Sequence, residues 1–145
     1  MTKKADKAYV ISVSIGTGCY RHIKISASAM LAELSEAILD AFDFFNDHAH
    51  AFFMDNRAWS DADSYYYEMV DEDNEERHTC DFTLAGAGVC VDKKFVYVFD
   101  FGDDWRFQCK VLKELPELVE IPEIVRAKGE APPQYEGWDD EDEDE

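Results

Sequence analysis

Tyr97-Val98-Phe99-Asp100-Phe101-Gly102-Asp103-Asp104-Trp105 sets an aromatic, alternating run against an acidic turn and then begins a second alternating run. Phe95, Tyr97, Phe99 and Phe101 recur at every second position, as do Trp105, Phe107, Cys109 and Val111, while Arg106, Gln108 and Lys110 take the other face. A period of two is the signature of strands with one buried face, so the two runs predict an antiparallel hairpin turning on Gly102. Glycine reaches positive φ without a steric cost and Asp side chains bond turn backbone, which makes a tight turn the first reading of DFGDD. The D-F-G triplet does not mark a kinase, because the chain has no G-x-G-x-x-G loop, no H-R-D loop and only 145 residues.

Upstream, Tyr9 to Ile15 alternates, Gly16-Thr17-Gly18 supplies a turn, and Tyr20 to Ile25 alternates again. This predicts another hairpin, with Ile23 and Ile25 inward and Arg21 and Lys24 nearer solvent. From Ser28 the spacing becomes helical: Leu31, Leu34, Ile38, Ala41, Phe42 and Phe45 share a stripe, opposite Glu33, Glu36, Asp40 and Asp43. Ser28 is the expected N-cap and Asn46-Asp47 the expected stop. His48 to Met54 reads as a third strand, Ser60 to Glu76 as an acidic surface insertion anchored by Tyr65-Tyr66-Tyr67, and Phe82 to Gly88 as one helical turn ended by glycine.

The expected fold class is therefore α+β: one domain over residues 8–135, with a mixed β-sheet, a β-grasp-like hairpin-helix start and a C-terminal aromatic hairpin. Residues 1–7 are expected to be disordered, as is the acidic tail 136–145. The apolar content, 46% with 10 Phe, 7 Tyr and 3 Trp, suffices for one core. No apolar run approaches the roughly 20 residues of a membrane span, and no secretory leader is evident, so the expected location is the cytoplasm. Cys19, Cys80, Cys90 and Cys109 contain no C-x-x-C pair, which argues against a structural zinc site and against a disulfide framework.

Net charge is -19, and the seven acids of Asp139 to Glu145 leave about -12 on the rest of the chain. With 14 basic against 33 acidic residues the chain is not expected to bind nucleic acid directly, since phosphate contacts need Lys and Arg. It is suited to a basic protein partner.

Two clusters carry potential chemistry. Asp100, Asp103 and Asp104 place three carboxylates at one turn, and hard cations take several such oxygens. His48 and His50, two apart on an expected strand, share a face and with Asp103 would supply ligands for a divalent metal or groups for acid-base chemistry. Trp105 and Arg106 complete the candidate cluster. Structural readings stand beside both: turn capping for the aspartates, and imidazoles bonded to backbone for the histidines. No nucleophile elbow and no phosphate-binding glycine loop is present.

The run YVFDFGDDWRFQCKVL resembles the signature of the plasmid pRiA4b ORF-3-like family, whose members are also labelled passenger proteins of transposable elements. Tyr20-Arg21-His22-Ile23 is similar to that family's W-R-R-I strand, Leu31 to Ser35 to its T-L-x-x-L-H helix start, and Phe42 to Phe53 to its A-F-G-W...H-x-H-x-F segment. Arg106-Phe107 stands where a His is common, Ser35 replaces another, and Ala131 to Gly137 resembles P-P-E-D-C-G-G without its Cys. The resemblance implies an α+β fold with β-grasp character, a mobile-element association and no established biochemical activity. The function expected is a non-catalytic accessory or binding domain without a cofactor, acting through a protein partner. The alternatives are a metal-dependent enzyme using His48, His50 and Asp100, Asp103 or Asp104, and an acidic DNA mimic.

Overall fold

The computed structural model describes residues 7–60, 62–69, 77–132 and 134. Its elements are β1 (Ala8–Ser14), β2 (Tyr20–Ser26), α1 (Leu31–Ala41), β3 (His50–Phe53), β4 (Ser64–Tyr66), β5 (Lys94–Phe99), β6 (Trp105–Leu115) and β7 (Glu123–Lys128). The strands form one seven-stranded sheet in the order β4-β3-β5-β6-β1-β2-β7. Over the described residues the result is a mostly β single domain with one short helix. The proposed tails fall largely outside the described residues, as do residues 61 and 70–76 of the acidic insertion.

Both expected hairpins form. β1 pairs with β2 and β5 with β6, the latter in the register Phe99 opposite Trp105 and Tyr97 opposite Phe107. The mixed sheet does not: every pairing between named strands is antiparallel. The β-grasp expectation goes with it, because the chain leaves α1 for β3, which lies between β4 and β5 and away from β1. β1 instead takes β6 as its second partner, and the long β6 reaches across all seven residues of β1.

One face of the sheet carries the main core. Tyr9, Ile11 and Val13 of β1, Ile23 and Ile25 of β2, Phe95, Tyr97 and Phe99 of β5, and Phe107, Cys109 and Val111 of β6 meet Leu31, Leu34, Ile38 and Phe42 from the helix. A smaller cluster, Ala51, Phe53, Val96 and Val98, lies on the opposite face under Ala58, Tyr66 and Phe101. The middle of β5 is thus buried on both faces, which explains why its sequence is apolar at successive positions.

The helix ends differ from expectation. Met30, not Ser28, is the N-cap, and its N–H donates to the Glu33 carboxylate at 3.2 Å. Ser28 instead bonds Ser26 at 3.1 Å. The next orphan donors reach another segment: Leu31 N donates to Phe82 O at 2.9 Å and Ala32 N to Thr79 O at 3.0 Å. At the other end Asp43 adopts φ 61°, Phe44 N donates to Leu39 O and Asp43 N to Asp40 O, so a Schellman motif stops the helix ahead of Asn46. Phe45 is consequently 72% exposed, and Phe44 packs in the core in its place.

Arg21 is buried as well, contrary to the solvent position its charge suggested. It lies on the Ile23 and Ile25 face, donates to Ala41 O (3.0 Å), Tyr20 O (2.9 Å) and Lys128 O (3.0 Å), and stacks over Phe42. The side chain thereby joins the C-terminal end of α1 to β7. The turn at residues 83–89 matches its reading: Gly88 has φ 92°, Val89 N donates to Leu84 O and Gly88 N to Ala85 O.

Candidate functional site

The turn after β5 is built by aspartates in left-handed conformation. Asp100 has φ 64° and Asp104 φ 56°, whereas Gly102, the expected positive-φ residue, is not among the residues with positive φ. Asp tolerates this region because its short side chain bonds nearby backbone. Asp100 Oδ1 accepts from Asp103 N at 3.3 Å, its carbonyl accepts from Asp104 N at 2.6 Å, and its own N–H donates to Ala49 O at 2.9 Å. The turn is therefore stitched to the chain entering β3.

Asp104 receives the Trp59 indole N–H at 3.1 Å and a two-pronged bond from Arg106, with Nε at 3.1 Å and Nη2 at 2.9 Å. Arg106 first, and then Trp59, hold its carboxyl below the usual carboxylate range. Asp103 is exposed. Trp105 sets its ring edge-on to Phe44 at 5.0 Å, and its buried Nε1 has no hydrogen-bond partner among the described residues.

The two histidines part company. His48 precedes β3, so the shared-face argument does not apply to it; its Nε2 lies 3.4 Å from Asp100 Oδ2 and 3.6 Å from Asp47 Oδ1, with the ring partly exposed. His50, the first residue of β3, is only 4% exposed. Its Nε2 bonds Thr79 Oγ1 at 2.8 Å, and Phe52, Tyr67 and Tyr97 surround its ring. Burial pushes its pKa down from 6.5 to about 4, so the imidazole is neutral at physiological pH. Beside it Tyr97 Oη and Ser35 Oγ share a buried hydrogen bond of 2.6 Å, and burial raises the phenol's pKa well above its ordinary value.

Of the sequence candidates, the structure brings together His48 with Asp100, and Asp104 with Arg106. His50 is turned to Thr79. Among the described residues no group of three or more His, Cys, Asp or Glu is placed to hold a metal ion. Sequence reasoning missed Thr79 and Trp59. Thr79 carried no signal, while Trp59, a lone indole in a polar stretch, was the visible hint of a docked loop. All four cysteines are free, Cys19 and Cys109 buried and Cys80 and Cys90 exposed. Among the described residues no helix is long and apolar enough to cross a membrane.

The same fold occurs in a solved structure from Methanosarcina mazei Go1, the protein of unknown function MM3350. It superposes with a TM-score of 0.77 at 25% identity, covering 92% of this chain and 76% of that one. The uncharacterized protein y4hQ of Sinorhizobium fredii (strain NBRC 101917 / NGR234) is 26% identical over 118 residues, 81% of this chain. This chain spans 58% of that relative's length. The family model described as plasmid pRiA4b ORF-3-like protein matches residues 8–138, and the chain belongs to that family.

Proposed function

We propose that this domain is a non-catalytic accessory module that acts in the cytoplasm by protein-protein contact and carries no resident cofactor. The observation that carries the reading is an exposed apolar arm. Leu118, Ile121, Ile124 and Val125 all stand in solvent within eight residues, on a protein whose surface is otherwise strongly acidic. Ile121 and Ile124 stand together at one groove, and apolar side chains gathered in this way are the mark of a surface that is covered in use. The candidate cluster supports the same reading from the other side, since Asp104 is taken up by Arg106 and Trp59, and His50 is buried with its Nε2 on Thr79.

A photo-crosslinking residue at Leu118 tests it in native extract. A discrete adduct that disappears in the Ile121→Glu variant is the expected result, and absence of any adduct at that position would remove the reading's support. One arrangement favours the enzyme alternative, in which His48, His50 and the turn aspartates bind a metal: the approach of His48 to Asp100. Calorimetric titration with zinc decides it. Stoichiometric binding lost in both His48→Ala and Asp100→Asn would replace the accessory reading with the metal one.

A further inference from the structure

The two edges of the sheet are finished differently. On the outer side of β4, Tyr66 N donates to Arg77 O at 2.7 Å and Thr79 N donates to Tyr66 O at 2.9 Å, so residues 77–79 cover that edge. β7 has β2 on one side, and on the other no described strand or backbone group pairs with it. All six of its residues are exposed. In an antiparallel strand, alternate residues direct N–H and C=O groups away from the existing partner, which makes such an edge a template for one more strand.

Beside that edge lies a groove of about 280 Å³ between the outer flank of α1 and the start of β7. Ile23, Ala37, Ile121 and Ile124 give it apolar walls, and Glu33, Glu36, Asp40 and Glu123 stand around it. Ile23 and Ile124 are cross-strand partners, so Ile124 faces the helix side of the sheet and the groove. Glu33 is engaged at the helix N-cap. No described Lys or Arg forms a salt bridge with Glu36, Asp40 or Glu123.

We propose that β7 and this groove receive an extended basic segment of another protein, which adds as a strand to β7, sets apolar side chains against Ile121 and Ile124, and pairs lysines or arginines with Glu36, Asp40 and Glu123. Strand addition supplies main-chain bonds and the groove supplies side-chain selection. The rim's charge fixes the partner's sign. A second copy of this chain fits poorly, since it brings another -19 to the contact, and the chain's own acidic C-terminal run has the wrong sign for the rim.

The inference rests on the accessory-module reading. Its test uses the full chain and a fluorescein-labelled lysine-valine peptide of the repeat Lys-Thr-Val-Thr, which sets lysine and valine by turns on one face of the added strand. Binding is expected, with amide shifts on Glu123 to Lys128, weakening with added salt. The E36K/D40K double variant, at exposed helix positions, is expected to bind roughly tenfold or more weakly. A glutamate-valine peptide, and a lysine-valine peptide N-methylated on alternate residues, are expected not to bind.

Equal binding by the wild type and E36K/D40K would overturn the proposal, as would shifts confined to other strands. So would a concentration-dependent dimer in sedimentation equilibrium that V125D dissolves, because β7 would then serve self-association. Peptide failure with a persistent Leu118 adduct refutes the partner chemistry and leaves the accessory reading standing. Failure of both removes both.

Discussion

His50 gives the most quantitative test of the packing. Its ring lies among Phe52, Tyr67 and Tyr97, with one nitrogen on Thr79 Oγ1 and Nδ1 without a partner among the described residues. A proton on that ring would place a charge in an aromatic box, and burial accordingly holds the folded-state pKa at about 4 against 6.5 unfolded. The unfolded chain therefore takes up the proton first as pH falls, and stability present above pH 6.5 is lost between 6.5 and about 4. At roughly 1.4 kcal/mol per pH unit, that window holds about 3 kcal/mol. The perturbation is His50→Gln, which removes the titration, and the assay is urea unfolding followed by circular dichroism from pH 7.5 to 4.5. The quantity to follow is the wild-type stability minus that of the variant. His22, whose pKa burial and Arg126 also lower, and the relief of acidic repulsion on protonation are common to both proteins and cancel. The difference is expected to fall by 2 to 3 kcal/mol, or about that, across the range. A pH-independent difference would show that His50 is hydrated or paired in the folded state, and would refute the argument.

Two further outcomes follow from close contacts elsewhere. In the Ser35–Tyr97 pair, S35A and Y97F are each expected to cost roughly 1 to 3 kcal/mol, while the double variant costs less than the sum by about 1 kcal/mol, because each single change leaves a buried hydroxyl unpaired; a thermodynamic cycle in urea checks it. Gly129 has φ 82°, and a Cβ there would run into Gly18 O and stand 2.9 Å from Cys19 Cα, both backbone. G129A is therefore expected to cost roughly 2 kcal/mol or more and to free β7, read as lost hydrogen-exchange protection at Ile124 and Arg126 with protection in β1 retained.

What could be read from the sequence follows burial. β2 and β6 bury alternate side chains over most of their length, so their period of two is printed in the residue types, α1 shows its stripe for the same reason, and β5, buried on both faces, is legible as an unbroken apolar run with an aromatic at every second position. β7 buries neither face, so Glu-Ile-Val-Arg-Ala-Lys carries no alternation, and its strand state comes from pairing with β2. The end of α1 was hidden because Phe44 and Phe45 are chemically alike, and only the left-handed turn at Asp43 decides which one is buried. Arg21 was misplaced by judging its charge above its register: the alternation put it on the Ile23 face, and the carbonyls of Ala41 and Lys128 make burial there tolerable. At the candidate site the residue types were visible, but the partners Thr79 and Trp59 lie 29 and 45 positions from the groups they bind, separations no local pattern encodes.

The placement of these features on the sheet bears on what the aspartate turn does. It joins β5 to β6 and is tied to Ala49 before β3 and to Trp59 after it, so its bonds close the β3-β5-β6 end of the domain. Asp104 accepts from two groups, and Asp100 uses one oxygen on its own turn and turns the other to His48. The acidic groove belongs to α1 and β7, beyond β1 and β2. Substitutions at the two places share no partner and are expected to act independently. Asp100→Asn should leave the lysine-valine peptide's affinity unchanged, and E36K/D40K should leave the turn's amide shifts in place. Coupling between them would mean that the sheet transmits strain from one end to the other, and the turn would then have to be read as part of the binding surface instead of as the clasp that closes it.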